Sequence, residues 1–557
     1  MNKKFIILKI LFAVSYCSFS QGIGIGTKTP DSSAILDISH NSRGLLIPRM
    51  TTNATLSIAK PARGLLVYDS VANQIMVNTG APSIPNWQAV AIENSVWKLK
   101  GNSGTNPTDQ FIGTTDDRPL RFRINNIAVG ELQTATGNIF WGLRAGQSIF
   151  ATGFSNIGIG TDALKLNTRS NTVAIGDSAL FHNADGAAFP SNGAQNTAVG
   201  SKALFRNILG SENTAIGFQA LVTNSDGSFN VAVGDLSLAL NTNGSNNSVV
   251  GSQALFSNTT GSNNVGIGTA AMLFNTTGSS NTAVGVSSLL FNSNGFSNTA
   301  AGTNALRSNS TGANNTGVGV GALFNSNGTS NTAVGVSALG NTTASNFNTA
   351  IGFNAGASFN LGFNNTFLGA NSDVNQNGLF NCVAIGESSR CTGSSQVRLG
   401  NTATVSIGGV VGFTNISDGR FKNNIQEKVK GLDFIMKLRP VTYQLNLSEI
   451  TNRLNGNTID QMPEALKNSI LVQERTIHTG FIAQEVEKAA EDVGYDFSGV
   501  DKPKNENDFY GLRYSEFVVP LVKAIQEQQA MIDELRKQNA DLQKRVVDLE
   551  KPKAVNK

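Results

Sequence analysis

The sequence predicts a mostly β chain. A parallel β-roll or β-solenoid shaft of 17-residue coils, built as a homotrimer, leads into a C-terminal α+β domain that ends in a coiled-coil helix. Three observations predict it. Short strand-like units ending in glycine recur every 17 residues through the middle of the chain. That region is rich in Asn, Gly, Thr and Ala and almost free of charge. After residue 417 the composition turns charged and closes on an apolar heptad pattern.

The N-terminal "MNKKFIILKILFAVSYCSFSQ" has a basic start, a short apolar run and small residues at Ser18 and Ser20. It reads as a secretory signal over 1–20, its apolar run falling short of the ~20 residues that a membrane span needs. No later segment is apolar enough to cross a bilayer. The expected location is therefore outside the cell or at the cell surface of a Gram-negative bacterium. A formal net charge of +4 over 557 residues excludes an electrostatic nucleic-acid or membrane-surface binder. Once Cys17 leaves with the signal, Cys382 and Cys391 remain, either as one disulfide or as two small buried thiols. Neither cysteine sits at a metal-ligand spacing, and the histidines are His40, His182 and His478. No metal or cofactor is expected.

Residues 21–92 alternate Gly/Pro turns with short apolar strands such as "GLLIPRM" and "GLLVYDS", which makes a β-rich head module. A second β-rich block, 93–137, follows. This end, with Trp87, Trp97, Arg121 and Arg123, is where a receptor or anchor contact is expected.

The repeat occupies 138–395. Glycines 217, 234, 251, 268, 285, 302 and 319 stand 17 residues apart, and one step of 16 leads on to Gly335. Gly176 and Gly200 are separated by 24 residues around "AAFPSNG". Between anchors an "AL" pair falls at positions three and four, Asn at seven and Gly at ten, as in "GFQALVTNSDG". A fixed short period is a solenoid signature. Each coil is expected to offer two short strands, "TAVG" and "xxAL", with Asn ladders and with Val, Ile and Leu pointing inward. So thin a core is marginal for one chain, and three chains around one axis remedy that. Between 236 and 372 the one ionisable residue is Arg307, so paired carboxylates are missing and a glycosidase is excluded. The rows of neutral Asn, Ser and Thr suit a glycan or serve as a solvated spacer. "NTVAIG" (171–176) and "NCVAIG" (381–386) make the repeat resemble the heads of trimeric autotransporter adhesins, which are left-handed parallel β-rolls. Most coils here are one or two residues longer than in those heads.

A lead-in, 396–416, reaches "SDGRFKNNI" (417–425). Standing alone, that stretch is a turn. It is followed in order by "LRPVTY", "GFIAQEV" and "VPLVKAIQE". These four ordered blocks resemble the endosialidase-type intramolecular chaperone domain, which ends phage tail spikes and fibres and is classed as a self-cleaving serine peptidase. The resemblance implies a domain over 417–514, a catalytic dyad of Ser417 and Lys422, and a cut beside Ser417, at its bond to Ile416 or to Asp418. Ser–Lys is a known nucleophile–base pair. The lysine serves only where its surroundings favour the neutral amine. Arg420 and burial on assembly favour that form and Asp418 opposes it, so Asp418 is expected to be engaged elsewhere. An insertion from about 446 to 475 sits inside the domain.

The last helix, 515–550, places Val518, Ile525, Ile532, Asn539 and Val546 at a, with Leu521, Gln528, Leu535, Leu542 and Leu549 at d. Eight of the ten are apolar, which argues for a trimerising coiled coil rather than a solvated helix. The expectation is a secreted adhesin-like fibre whose C-terminal intramolecular chaperone drives trimer folding of the shaft and then releases itself by a single self-cleavage at the Ser417–Lys422 dyad, with no external substrate. Its partners are two further copies of itself and a glycan or cell-surface receptor. The alternative is a phage-type tail fibre or spike.

Overall fold

The computed structural model describes residues 22–90, 101–106, 108, 110–147, 153–456, 459 and 462–551. The expected signal segment and Trp97 lie outside them. The chain divides into two compact units, Met1–Gly113 and Thr114–Lys557.

The first unit holds a parallel strand pair, Ile23–Ile25 with Leu36–Ile38, and a four-stranded sheet. In that sheet Arg49–Met50 pairs parallel with Leu66–Asp69, and Gln74–Asn78 and Trp87–Ala89 follow antiparallel. Asn78 is fully buried and ties three loops together. Its amide nitrogen donates to the Pro61 and Ala62 carbonyls, and its oxygen accepts from the Gly80 and Asn86 N–H groups. Ile35, Leu45, Leu46 and Ile84 are exposed, more apolar surface than so small a sheet normally leaves to water.

The second unit is dominated by one long sheet. An antiparallel hairpin, Leu120–Ile124 with Ile127–Gln133, passes its edge to Asn138–Trp141. From there every pairing is parallel and in register, coil upon coil, to the last strand Val397–Leu399. Each coil contributes one three-residue strand, such as Thr214–Ile216 or Thr282–Val284. In the last two coils Asp373–Val374 pairs parallel with Arg390–Cys391 at the "xxAL" position, whereas in the regular coils the second strand expected there does not form. Two residues of that stretch take left-handed backbone, for instance Gln253 (φ 57°) and Leu255 (φ 49°), and extended structure cannot continue through them.

Left-handed φ costs an L-residue roughly 1–2 kcal/mol, and each regular coil carries it at three non-glycine positions. Hydrogen bonds between coils hold them there. Gln253 N–H donates to the Asp235 carbonyl at 2.8 Å, Leu255 N–H to Ala271 at 2.9 Å and Asn263 N–H to Ser245 at 3.0 Å. The anchor glycine allows coils to approach this closely: at Gly251 (φ 145°) a Cβ would lie 2.4 Å from the Gly268 carbonyl oxygen.

The interior also differs from expectation. Ala215, Ala220 and Leu221 are fully buried, whereas the strand's third residue, Ile216, points outward. Val250 is 46% exposed and Val284 39%, and the row continues along the sheet. A coil this narrow admits Ala at the middle of the strand and one Leu from the turn. Where the strand slot is larger, the turn slot shrinks. Phe140 faces Gly146 and Phe367 faces Gly356, and a Cβ on either glycine would come within 2.8 Å of the ring. Except at Val249 and Val374, which are buried, the branched Val and Ile of the shaft strands are left to the outer face.

Two Asn ladders run through the shaft, as the spacing predicted. Ahead of each strand, Asn247 accepts and donates in turn: its N–H and side-chain amide both donate to Asn230 Oδ1, at 3.0 and 3.1 Å. At the turn, Asn258 Nδ2 donates to Asn241 Oδ1 at 2.7 Å and to the Gly261 carbonyl at 2.9 Å. The second ladder survives the 24-residue step, with Asn207 donating to Asn183 Oδ1. The insertion there is gathered by Arg169, whose guanidinium donates to the carbonyls of Ala187, Phe189 and Asn192. That ladder ends at Asn309. In the 16-residue coil Ser326 takes the next Asn position, and Asn309 Oδ1 is left buried without a partner. Arg307 lies between the rings of Phe291 and Phe324, 5.0 and 5.4 Å from their centroids.

Beyond residue 417 a small domain forms around Phe434, Val486, Ala489, Ala490, Phe497 and Phe517. The insertion folds as two helices, Leu447–Asn455 and Glu464–Gln473, closed at the base by the antiparallel pair Val441–Tyr443 and His478–Gly480. The last helix runs Val518–Glu550 with Pro520 in its first turn. Its heptad residues Ile525, Leu535 and Leu542 are exposed along one chain. Among the described residues no helix is long and apolar enough to cross a membrane.

Substituting Asn258 by Ala strands Asn241 Oδ1 and takes one of the two acceptors from Asn275 Nδ2, which keeps the Gly278 carbonyl. Thermal or denaturant unfolding of Asn258→Ala is expected to show a loss on the order of 2 kcal/mol per chain. The exposed Thr260→Ala in the same coil should stay within about 0.5 kcal/mol of the parent.

Candidate active site

The sheet ends at Leu399, and the next element is a single 3-10 turn, Gly419–Phe421. Asp418 caps that turn, accepting from Arg420 N–H at 2.9 Å. Its carboxylate also takes the Arg420 guanidinium, with Nη2 at 2.6 Å and Nε at 2.9 Å. Because the turn is tight and Lys422 leaves it extended (φ −96°, ψ 118°), the lysine side chain folds back over residue 417. Lys422 Nζ donates to Ser417 Oγ at 2.8 Å.

The hydrogen bonds from Arg420 hold the Asp418 carboxyl below the usual carboxylate range, and the same contact raises Arg420. The negative charge beside the seam, where the 396–416 lead-in meets the domain at Ser417, is thus engaged by Arg420. Asp418 is engaged elsewhere than Lys422, as the sequence required. Ser417, Lys422 and their neighbours are exposed, and so are the apolar Phe413, Ile416, Phe421 and Ile425. The Ile416 side chain is 92% exposed. Both candidate bonds, on either side of Ser417, therefore lie open to solvent in one chain and outside any strand or helix.

The domain behind the seam is locked by close approaches. Gly431 opens the helix Leu432–Ile435 against the last helix, and Leu432 N–H donates to Glu527 Oε2 at 2.7 Å. A Cβ at Gly431 would meet Ala524 N at 2.7 Å and the Lys523 carbonyl carbon at 2.8 Å. The pairing of "GLDF" with a glutamate 95 residues on has no local signature in the sequence.

Cys382 and Cys391 are both buried free thiols. They contact each other: the hydrogen bond between them lowers the Cys382 thiol's pKa and pushes that of Cys391 far up. Cys382 replaces the ladder Asn, and its N–H still donates to Asn365 Oδ1 at 2.9 Å. Among the residues expected to meet a receptor, Arg121 pairs with the mostly buried Glu131 at 3.0 Å and Arg123 donates to Asn126. The Trp87 indole N–H is buried and without a partner. His182 contacts Asp185, and His478 stacks on Tyr443.

Two stretches match known families. Residues 417–495 match the family described as chaperone of endosialidase, and 24–105 match the phage tail like trimerisation region. The first match begins at Ser417 itself. No curated protein matches the chain.

Gly431→Ala is expected to push the Leu432–Ile435 helix off the last helix, at a cost of about 1–3 kcal/mol. Gly412, with nothing within 4 Å of an added Cβ, supplies the control. Unfolding midpoints of the two variants should separate, with Gly412→Ala at the parent value.

Proposed function

We propose that the chain is a secreted, homotrimeric, adhesin-like fibre whose C-terminal domain aligns three chains and then cuts the backbone beside Ser417. One observation carries this reading: Lys422 Nζ lies 2.8 Å from Ser417 Oγ, at the first residue of the stretch that matches the chaperone of endosialidase. Trimer formation is supported by the trimerisation match at 24–105, the outward Val/Ile row and the exposed heptad face of the last helix. The basic, apolar N-terminus supports export to the surface of a Gram-negative bacterium. A glycan or surface receptor is the proposed ligand.

The chemistry follows from the geometry. Neutral Lys422 takes the Ser417 hydroxyl proton as Oγ attacks the Ile416 carbonyl carbon. The C–N bond breaks, the proton passes to the departing Ser417 nitrogen, and an ester joins Ile416 to Oγ. Water opens the ester, leaving a carboxylate on Ile416 and restoring the serine. A cut at Ser417–Asp418 would instead take Oγ from the Ser417 of a neighbouring chain, since attack on its own carbonyl closes a four-membered ring; the C–N bond breaks, the proton passes to the Asp418 nitrogen and water opens the ester. Apolar cover over the seam favours the neutral amine. Three chains closing over Phe413, Ile416 and Phe421 would provide that cover, so cutting would wait for assembly.

A phage-type tail fibre is the second reading, favoured by the phage tail like match. The two readings share the assembly and cutting steps and differ in where the fibre is used.

Intact mass of purified wild-type trimer should show a C-terminal piece beginning at Ser417 or Asp418. Ser417→Ala and Lys422→Ala should give the full-length trimer uncut, with partial recovery for Lys422→Ala at high pH. Cleavage that persists in Ser417→Ala would overturn the assignment. Expression without 417–557 should yield aggregates, read by native light scattering, whereas a soluble trimer from that truncation would remove the chaperone role.

A further inference from the structure

The shaft and the C-terminal domain meet a second time, far from the seam. The 504–508 loop lies against the turn 392–394 in the last coil. At its centre is Asp508, only 8% exposed. The Thr392 hydroxyl donates to Asp508 Oδ1, as does Gln396 Nε2 at 3.3 Å. Lys504 N–H closes on Oδ2 at 3.0 Å, and Arg398 Nη2 stands 3.9 Å from Oδ1. Around this centre Asn505 Nδ2 donates to the Thr392 carbonyl at 2.8 Å and Lys504 Nζ to the Ser394 carbonyl at 3.1 Å.

Burial alone would raise the Asp508 pKa, but the hydrogen bonds from Thr392, Lys504, Phe509 and Gln396 more than offset it and hold the group in its charged form. Charge-assisted hydrogen bonds to a desolvated carboxylate are among the stronger polar contacts. Gly393 shows how close the fit is, since a Cβ there would lie 3.3 Å from Asp508 Oδ2 and 3.4 Å from Lys504 Cδ. A second patch adds to it: Thr402 and Thr451 share a hydroxyl hydrogen bond, and Gln473 Nε2 donates to the Ala403 carbonyl at 2.9 Å. Apart from the Lys504 and Phe509 N–H bonds to Asp508, one residue of each pair precedes Ser417 and the other follows it.

We propose that this contact is a non-covalent joint, anchored by Asp508, which keeps the C-terminal domain seated on the last coil after the backbone is cut. Cutting and release are then separate events. The joint also covers the final coil, and solenoid ends need such a cover. The inference extends the proposed self-cleavage, but the joint exists whether or not the chain cuts itself, and its test avoids the dyad.

The experiment uses the full-length chain with Ser417→Ala and a site-specific protease recognition sequence inserted between Gly408 and Gly409, where the chain is exposed. After digestion, size-exclusion chromatography with intact mass reads whether the two pieces travel together. The expected result is co-elution for the parent. Asp508→Ala, on the domain side, and Gly393→Leu, on the shaft side, should each lower the co-eluting fraction at least about tenfold. The two changes lie in separately built elements, so a folding failure in one leaves the other as the test. Pieces that part on digestion in the parent would overturn the proposal, as would pieces that stay together in both variants. Failure of self-cleavage would appear only in the Ser417 protein and leave this result untouched.

Discussion

The shaft depends on one requirement: a buried amide has to be paired, and in a coil this thin the partner must come from the next coil. Each regular coil buries two Asn side chains at 0% exposure. Their oxygen and nitrogen atoms are satisfied up and down the axis, as in the chain of bonds through Asn230, Asn247 and Asn264. A coil shifted by one residue would leave both amides unpaired in an apolar interior, which costs far more than a thin core can return. The ladders therefore set register, and the Ala/Leu core needs only to fill space. The same requirement explains why buried Leu residues accept left-handed backbone, since that conformation aims their N–H groups at the coil ahead.

Relaxing the requirement marks where the shaft changes. One ladder stops at Asn309, where a 16-residue coil brings Ser326 in place of Asn. The other stops at Cys382, a side chain that cannot pass the chain of amide bonds onward. Ionisable side chains return around that point: buried Asp373 accepts from Ser358 just before it, and past it Arg390 donates to the Val374 carbonyl and Arg398 approaches Asp508. The neutral shaft and the charged domain thus meet through a coil that has already left the ladder pattern.

The period and the ladders were legible because both are strictly periodic, whereas Ser417 and Lys422 were singled out by the resemblance of four ordered blocks. Ser417 and Lys422 are five residues apart, and Asp-Gly forces the turn that joins them. The inward face was misread because a strand of three residues gives no alternation to count, and hydrophobicity alone favours Val over Ala for the core. The actual criterion is width, visible only when Leu221 or Phe367 occupies the interior. The second strand was misread because Leu resists left-handed φ in isolation, and only neighbouring coils supply the compensating hydrogen bonds. Contacts such as Asp508 with Thr392 span 116 residues and leave no pattern in either segment.

These points fix why the seam lies where it does. The last strand of the sheet ends at Leu399 and the next turn begins at Gly419. The stretch between them contributes to neither the ladders nor the domain core, and its apolar side chains at Val410, Phe413 and Ile416 lie open in one chain. The cut proposed beside Ser417 lies past Thr402 and Ala403, whose bonds to Thr451 and Gln473 join the two sides, and would leave the shaft ladders and the domain core intact. The same exposure leaves the Ser417 and Lys422 side chains in contact with solvent in one chain. Apolar cover is needed to change that, and the surfaces able to supply it are the unpaired ones along the lead-in. On the proposed reading, a dyad left uncovered in one chain would tie the cut to the arrival of neighbouring chains, without a separate switch.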